Sequence, residues 1–156
     1  MNMLERYFYR MLRFPPRIAY ALRLGSIAGR KVLLLTTTGR KSGRKRVTPL
    51  QYEDIDGIIH LGSARGTKAD WYRNLEANPQ VEVRVKNRCF EGIAETSTDP
   101  QRIADFLEYR LERHPRMIGA MMRMNGFPVK PNRQQLLDYA SSIALVTIRP
   151  IDNEQP

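Results

Sequence analysis

The densest chemical feature of the chain is Gly39-Arg40-Lys41-Ser42-Gly43-Arg44-Lys45-Arg46, which sets five cations and two glycines in eight residues. Glycine lets backbone N–H groups approach an anion, serine adds a hydroxyl donor, and arginine offers a planar fork matched to phosphate or carboxylate. The chemistry this pattern predicts is the grip of a phosphorylated or carboxylated small molecule. It is not a P-loop, because the glycines are four apart, no Lys-Ser/Thr pair closes the motif and a strand is expected after it. Taken alone, the same residues also fit a solvated basic hairpin.

Few other residues offer reactive groups. His60 and His114 are the only histidines, and neither has a second histidine or an acidic pair at metal-ligand spacing, so no metal site is expected. Cys89 is the single cysteine, which excludes an internal disulfide and a CxxC redox pair; it reads as a half-buried strand residue. No serine sits in a nucleophile-elbow pattern. If the chain is an enzyme, a bound cofactor carries the hard chemistry.

The 156 residues fit one domain, 1–156, with N-terminal amphipathic helices over 1–30 and a core over 31–150. Lys and Arg outnumber Asp and Glu by 26 to 16, a formal net charge of +10, which favours an anionic partner: nucleic acid, an anionic membrane surface or a small polyanion. The longest apolar runs are about four residues, far below the roughly 20 of a membrane span. Charges at Glu5, Arg6 and Arg10 interrupt what would be the apolar part of a signal peptide. The expected location is the cytoplasm, with peripheral membrane contact through the arginine face of the first helix as an option.

The elements that position the turn follow from periodicity. Leu4, Tyr7, Phe8, Met11 and Leu12 recur at helical spacing with Arg6, Arg10, Arg13 and Arg17 on another face, and a second helical piece runs to Leu24. Val32 to Thr38 and Arg46 to Glu53 read as strands joined by the basic turn, and Ile58 to Gly62 as a third. Thr67 with Asp70 predicts a helix start, the helix passing through Trp71, Tyr72 and Leu75 to Asn78 and Pro79. Val81, Val83 and Val85 alternate with Glu82, Arg84 and Lys86, the clearest strand in the chain. Cys89 to Glu95 follows, then a helix from Asp99 and Pro100 to His114. A methionine-rich piece (Arg116 to Met124), a short helix (Gln134 to Ala140) and a sixth strand (Ile143 to Arg149) complete the pattern. Consecutive hairpins with appended helices predict a mainly β, α+β fold: an antiparallel six-stranded barrel.

Val32 to Pro49, reading VLLLTTTGRKSGRKRVTP, resembles the signature of the deazaflavin (coenzyme F420)-dependent nitroreductase family, whose fold is the FMN-binding-like split β-barrel. Gly62 to Gly66 and then Ala69 to Pro79 resemble the family's second block. The resemblance implies a coenzyme whose tail carries a phosphate and a string of glutamates. On the matching positions, Arg40, Lys41, Ser42, Gly43 and Arg46 hold the phosphate and adjacent tail, Pro49 packs beside the ring, and Ser63, Ala64 and Arg65 line its edge. The implied reaction passes a hydride from reduced deazaflavin to a quinone-like, nitroaromatic or conjugated carbonyl acceptor, with the proton coming from solvent or Ser63.

This sequence departs from the family pattern in having a shorter loop before Trp71 and Tyr72, with Gly66 alone. Met121, Phe127 and Tyr139 are candidates for an apolar substrate pocket, although core packing explains them as well. Alternatives to F420-dependent catalysis are FMN as the cofactor, or a non-catalytic carrier of a flavin, haem-like or fatty-acid ligand on the same fold. Nucleic-acid binding rests on net charge alone, and the chain is expected to be a monomer or homodimer.

Overall fold

The computed structural model describes residues 31–151. The helices expected over 1–30 lie outside the described residues. The strands are β1 (Val32–Thr38), β2 (Lys45–Gln51), β3 (Glu53–Ile55), β4 (Ile58–Ser63), β5 (Gln80–Val85), β6 (Arg88–Ser97) and β7 (Ala144–Pro150). The helices are α1 (Asp70–Ala77), α2 (Pro100–Arg113), α3 (Pro115–Met124) and α4 (Arg133–Ala140), with a single 3₁₀ turn at Gly66–Lys68. Every strand pairing is antiparallel, in the order β2-β1-β5-β6-β7-β4-β3.

That order has a geometric consequence. The two edge strands, β2 and β3, are consecutive in the chain and separated by one residue, Tyr52. A flat sheet would hold its edges far apart, so the sheet must curl until they meet, and β2 does touch β4 across the seam. Tyr52 makes the turn by pointing into the barrel, 8% exposed, while its N–H donates to the Lys31 carbonyl at 3.2 Å. Seven strands therefore stand where six were expected. The segment read as one strand from Arg46 to Glu53 exchanges partners at Tyr52, leaving β1 behind and joining β4.

The period-two pattern fills the barrel. Leu33 and Leu35 of β1, Val81, Val83 and Val85 of β5, and Val146 and Ile148 of β7 share one buried cluster with Ile59 and Leu61. Each such side chain contributes about 1.5–3 kcal/mol on burial, so the alternation read at Val81 to Val85 fixes which face turns inward. Helix α1 closes one end with Tyr72 and Leu75 in the same cluster. Its start differs from expectation. Ala69, not Thr67, occupies the N-cap, with no side-chain cap, and Thr67 belongs to the preceding 3₁₀ turn.

Helices α2, α3 and α4 form a second cluster around Ile103, Phe106, Ile118, Met122 and Leu136, packed on the outer side of the sheet at Leu145 of β7. Their ends are signalled locally. Asp99 accepts from the Gln101 N–H ahead of Pro100, and Asn132 with Gln135 forms a complete capping box on α4. One buried charge joins this helical layer to the barrel: the Glu53 carboxylate, 6% exposed, meets Arg110 Nε at 3.3 Å and His114 Nε2 at 3.0 Å. Glu53→Ala strands the Arg110 guanidinium in a half-closed site, and urea unfolding should show a loss of about 3 kcal/mol, as when one member of a buried pair is removed. A loss under about 1 kcal/mol, the range of surface pairs, would mean that the joint between the helical layer and the barrel does not depend on this charge.

Candidate functional site

The basic turn joins β1 to β2 and is closed by its own backbone. Gly39 N–H donates to the Arg44 carbonyl at 2.8 Å, and Gly43 N–H donates to the Gly39 carbonyl at 2.8 Å. Gly43 stands at φ 68°, and a Cβ on Gly39 would come within 2.9 Å of Ser42 Oγ, so both positions call for glycine. Ser42 Oγ accepts from the Arg44 N–H at 3.2 Å, which leaves its hydroxyl proton for another acceptor. The N–H groups of Lys41 and Ser42 donate to nothing among the described residues. The loop therefore presents two free backbone donors, a hydroxyl and the exposed cations Lys41, Arg44, Lys45 and Arg46. These are the donors that a phosphate or a run of carboxylates requires.

Arg40 is different. Its side chain is 20% exposed and turns back onto α1, where Nη1 donates to Asn74 Oδ1 at 2.9 Å and Nη2 meets Asp70 Oδ1 at 3.0 Å. The Arg40 backbone N–H also donates to Asn74 Oδ1, at 3.2 Å. Asn74 is 4% exposed and passes the connection inward, its Nδ2 donating to Thr37 Oγ1 at 3.4 Å. Arg40 thus spends its fork on the protein and holds the turn against the helix. Asp70 and Asn74 are the residues that sequence reasoning missed as anchors, although both lie in the second block of the family resemblance.

The Asp70 carboxyl sits below the usual carboxylate range, first through its hydrogen bond with Arg40 and then through that charge, with Arg65 and Arg73 adding to the effect. Asp70 accordingly brings Arg65 into the same electrostatic neighbourhood as the turn. Ala64 and Arg65 are exposed beyond the end of β4. Ser63 faces the other way: it is 2% exposed, and its hydroxyl donates to the Gly66 carbonyl at 2.7 Å. That bond fixes the turn after β4 and commits the proton a catalytic serine would have to deliver. Pro49 lies opposite Leu34 on edge strand β2, where a missing N–H costs no ladder bond toward solvent.

Met121, Phe127 and Tyr139 do come together, but in the helical layer rather than at the turn. Phe127 packs edge-on against Tyr139 with ring centroids 5.7 Å apart, and burial pushes the Tyr139 phenol up, keeping it neutral. A cavity of about 300 Å³ opens on the same outer side, lined by Ile55, His60, Phe106, Tyr109, Leu145 and Thr147 among others. His60 is held there by its Nδ1 on the Ile58 carbonyl at 3.0 Å and by stacking on Phe106. Among the described residues, no three His, Cys, Asp or Glu side chains converge as metal ligands would.

Residues 19–118 match the model of a family described as F420H(2)-dependent quinone reductase, a span that contains the turn, α1 and the Arg40 anchor. The chain belongs to the F420H(2)-dependent quinone reductase family. F420H(2)-dependent quinone reductase Rv1261c of Mycobacterium tuberculosis is 39% identical over 71 residues, 44% of this chain and 47% of the relative. The chain thus matches about half the length of that relative. Among solved structures, the heme storage protein HutZ of Vibrio cholerae superposes with a TM-score of 0.55 at 19% identity, covering 90% of this chain and 92% of the other. A conserved hypothetical protein of M. tuberculosis, Rv2991, gives a TM-score of 0.55 at 21% identity, over 80% and 78% of the two chains. At these identities the structures establish the split-barrel fold that this family member shares, and nothing further.

Two outcomes follow for the anchor. Asn74→Ala leaves the Arg40 N–H and guanidinium short of an acceptor and should lower stability by about 2 kcal/mol in thermal or urea unfolding, the cost of unmade buried hydrogen bonds; an unchanged midpoint would contradict the anchoring role. The Asp70 carboxyl is depressed in the folded state, so its contribution is present above the unfolded carboxylate pKa and is lost as pH falls through the lower folded value. Unfolding midpoints of wild type and Asp70→Asn should therefore converge on acidification, and parallel curves would contradict the pairing.

Proposed function

We propose that this chain is an F420-dependent reductase that passes a hydride to a quinone. The observation that carries the reading is the coincidence of the family match with a turn whose donors are unspent. Lys41, Ser42, Gly43 and Arg46 would hold the phosphate and adjacent glutamates of the coenzyme tail, while Arg40, engaged with Asp70 and Asn74, orients the loop that carries them. Arg44 and Lys45, exposed on the same loop, raise the local potential and speed encounter with an anionic ligand. Pro49 would pack beside the ring, and Ala64 and Arg65 would line its edge.

Bound in the reduced state, the coenzyme supplies the hydride. The protein's share is position and electrostatics. Ser63, bonded to Gly66, shapes the loop that carries Ala64 and Arg65 rather than donating a proton, and we assign the acceptor's proton to solvent. Quinones are the acceptor class we favour, on the family's description; nitroaromatic and conjugated carbonyl compounds are secondary candidates.

A titration monitored by the absorbance of oxidised F420, run beside FMN, tests the reading. Saturable micromolar binding of F420 is expected, because a few charge-assisted contacts of about 1.5–3 kcal/mol each reach that range. Lys41→Ala and Arg46→Ala should each weaken it by about tenfold, the lower end of that scale for exposed groups, with weak FMN binding throughout. Absence of F420 binding, or equal binding by the double variant, would overturn the assignment.

A further inference from the structure

A row of four side chains crosses the outer face of the sheet. Glu53 on β3 stands opposite His60 on β4, His60 opposite Thr147 on β7, and Thr147 opposite Glu95 on β6. Residues paired across neighbouring strands share a face, so a carboxylate, an imidazole, a hydroxyl and a second carboxylate line up side by side. The two ends of the row are occupied. Glu53 meets Arg110 at 3.3 Å and His114 at 3.0 Å, and Glu95 meets Arg102 at 2.7 Å. The middle is not: the Thr147 hydroxyl and His60 Nε2 have no hydrogen-bond partner among the described residues.

His60 and Thr147 also line the outer cavity of about 300 Å³. Among the described residues no buried side-chain N or O atom lacks a partner, so these two unpaired atoms keep access to the cavity. The tautomer of His60 follows from its neighbour. A carbonyl can only accept, so the 3.0 Å contact with the Ile58 carbonyl places a proton on Nδ1, and in the neutral ring Nε2 is a bare acceptor. The walls are apolar and aromatic: Ile55 and Leu145 from the sheet, Phe106 and Tyr109 from α2. Phe106 stacks on His60 and carries Arg110 5.7 Å from its ring centroid, while Arg113 lies 4.4 Å over Tyr109. Both rings are thus held before a ligand arrives. At the mouth, Arg102 is paired with Glu95 and Asp105 with Arg133 at 2.8 Å, so neither sign of charge is left over for an ionic ligand.

We propose that this cavity is a binding site for a small neutral aromatic ring bearing a hydroxyl, whose O–H donates to His60 Nε2 and whose oxygen accepts from the Thr147 hydroxyl. A phenol-type oxygen both donates and accepts, which matches a bare imidazole nitrogen set beside a hydroxyl donor. The ring itself finds Tyr109, Phe106, Ile55 and Leu145 as walls. A volume near 300 Å³ is at the small end of ligand sites and suits one ring or two fused rings. A phosphate or carboxylate gains no free cation here and meets the lone pair of Nε2, so the site is chemically the opposite of the basic turn. The hydroquinone that the proposed reaction forms is a member of this ligand class. That link rests on the function proposed above, whereas the site stands on the row and its walls.

Addition of 4-methylphenol to the full chain at about pH 8, where an ordinary histidine is neutral, tests it, with 4-methylanisole as the ring that lacks the O–H. His60 and His114 are the only histidines, so long-range proton–nitrogen NMR resolves each imidazole nitrogen. The phenol is expected to move the His60 Nε2 resonance saturably toward the protonated range and to leave His114 in place. Read from the ligands' own resonances, its affinity should exceed that of the anisole about fivefold, the value of one neutral hydrogen bond. His60→Phe keeps a ring to stack on Phe106 and should erase that difference. Thr147→Val keeps the side-chain shape and should lower phenol affinity about fivefold. The proposal is overturned by the absence of a saturable shift at His60, by equal affinity for the two rings, or by a difference that survives in folded His60→Phe. Unchanged phenol affinity in Thr147→Val would equally overturn it, and this variant decides alone if His60→Phe does not match the wild-type unfolding midpoint. No coenzyme is present, so failure here leaves the F420 titration untouched, and failure of that titration leaves this site standing.

Discussion

One residue separates the two edges of the sheet, and most of the architecture follows from that. Because β2 and β3 are consecutive in the chain yet lie at opposite ends of the pairing order, the sheet can only exist curled, with Tyr52 inside the closure. Closure turns one face of every strand inward, where Leu33, Leu35, Val83 and Val146 fill the space. The hairpin turn occupies the rim, and the helical layer occupies the outer face.

At the rim, fold and function divide the cations between them. Arg40 is tied to α1 through Asp70 and Asn74, while Lys41, Arg44, Lys45 and Arg46 stay exposed. Holding four positive charges without a partner among the described residues in so short a loop costs electrostatic repulsion, which a freely moving loop would relieve by spreading. The bonds from Arg40 to the helix and from Gly39 to Arg44 oppose that relaxation. The turn is therefore kept open, and for the anion binding proposed above its ordering cost is met before the ligand arrives.

Much of this was legible in the sequence where the signal was local. The valines of β5 announce their strand by strict alternation, Asp99 and Pro100 announce α2, and the charge density of the turn announces an anion. What was not legible depends on partners distant in the chain. Arg40 looks like its neighbours until it meets Asp70 and Asn74, 30 and 34 residues away. Glu53 reads as the polar end of a strand until Arg110, 57 residues on, folds over it. Ser63 resembles a ring-edge donor, but whether it faces in or out is set by the register with Ala144 on β7. Tyr52 hides the division of β2 from β3 because a single inward aromatic looks like any strand residue.

In the function proposed above, the unspent donors of the turn, held in place by Arg40, form the anion-binding site. Backbone amide NMR of the full chain during addition of oxidised F420 tests this, since the N–H groups of Lys41 and Ser42 have no acceptor among the described residues while the Arg40 N–H is already bonded to Asn74. The largest shifts are expected at Lys41 and Ser42, with smaller ones through Arg46 and little change at Arg40. Largest shifts at His60, Phe106 and Thr147 around the outer cavity, with the turn unmoved, would contradict it.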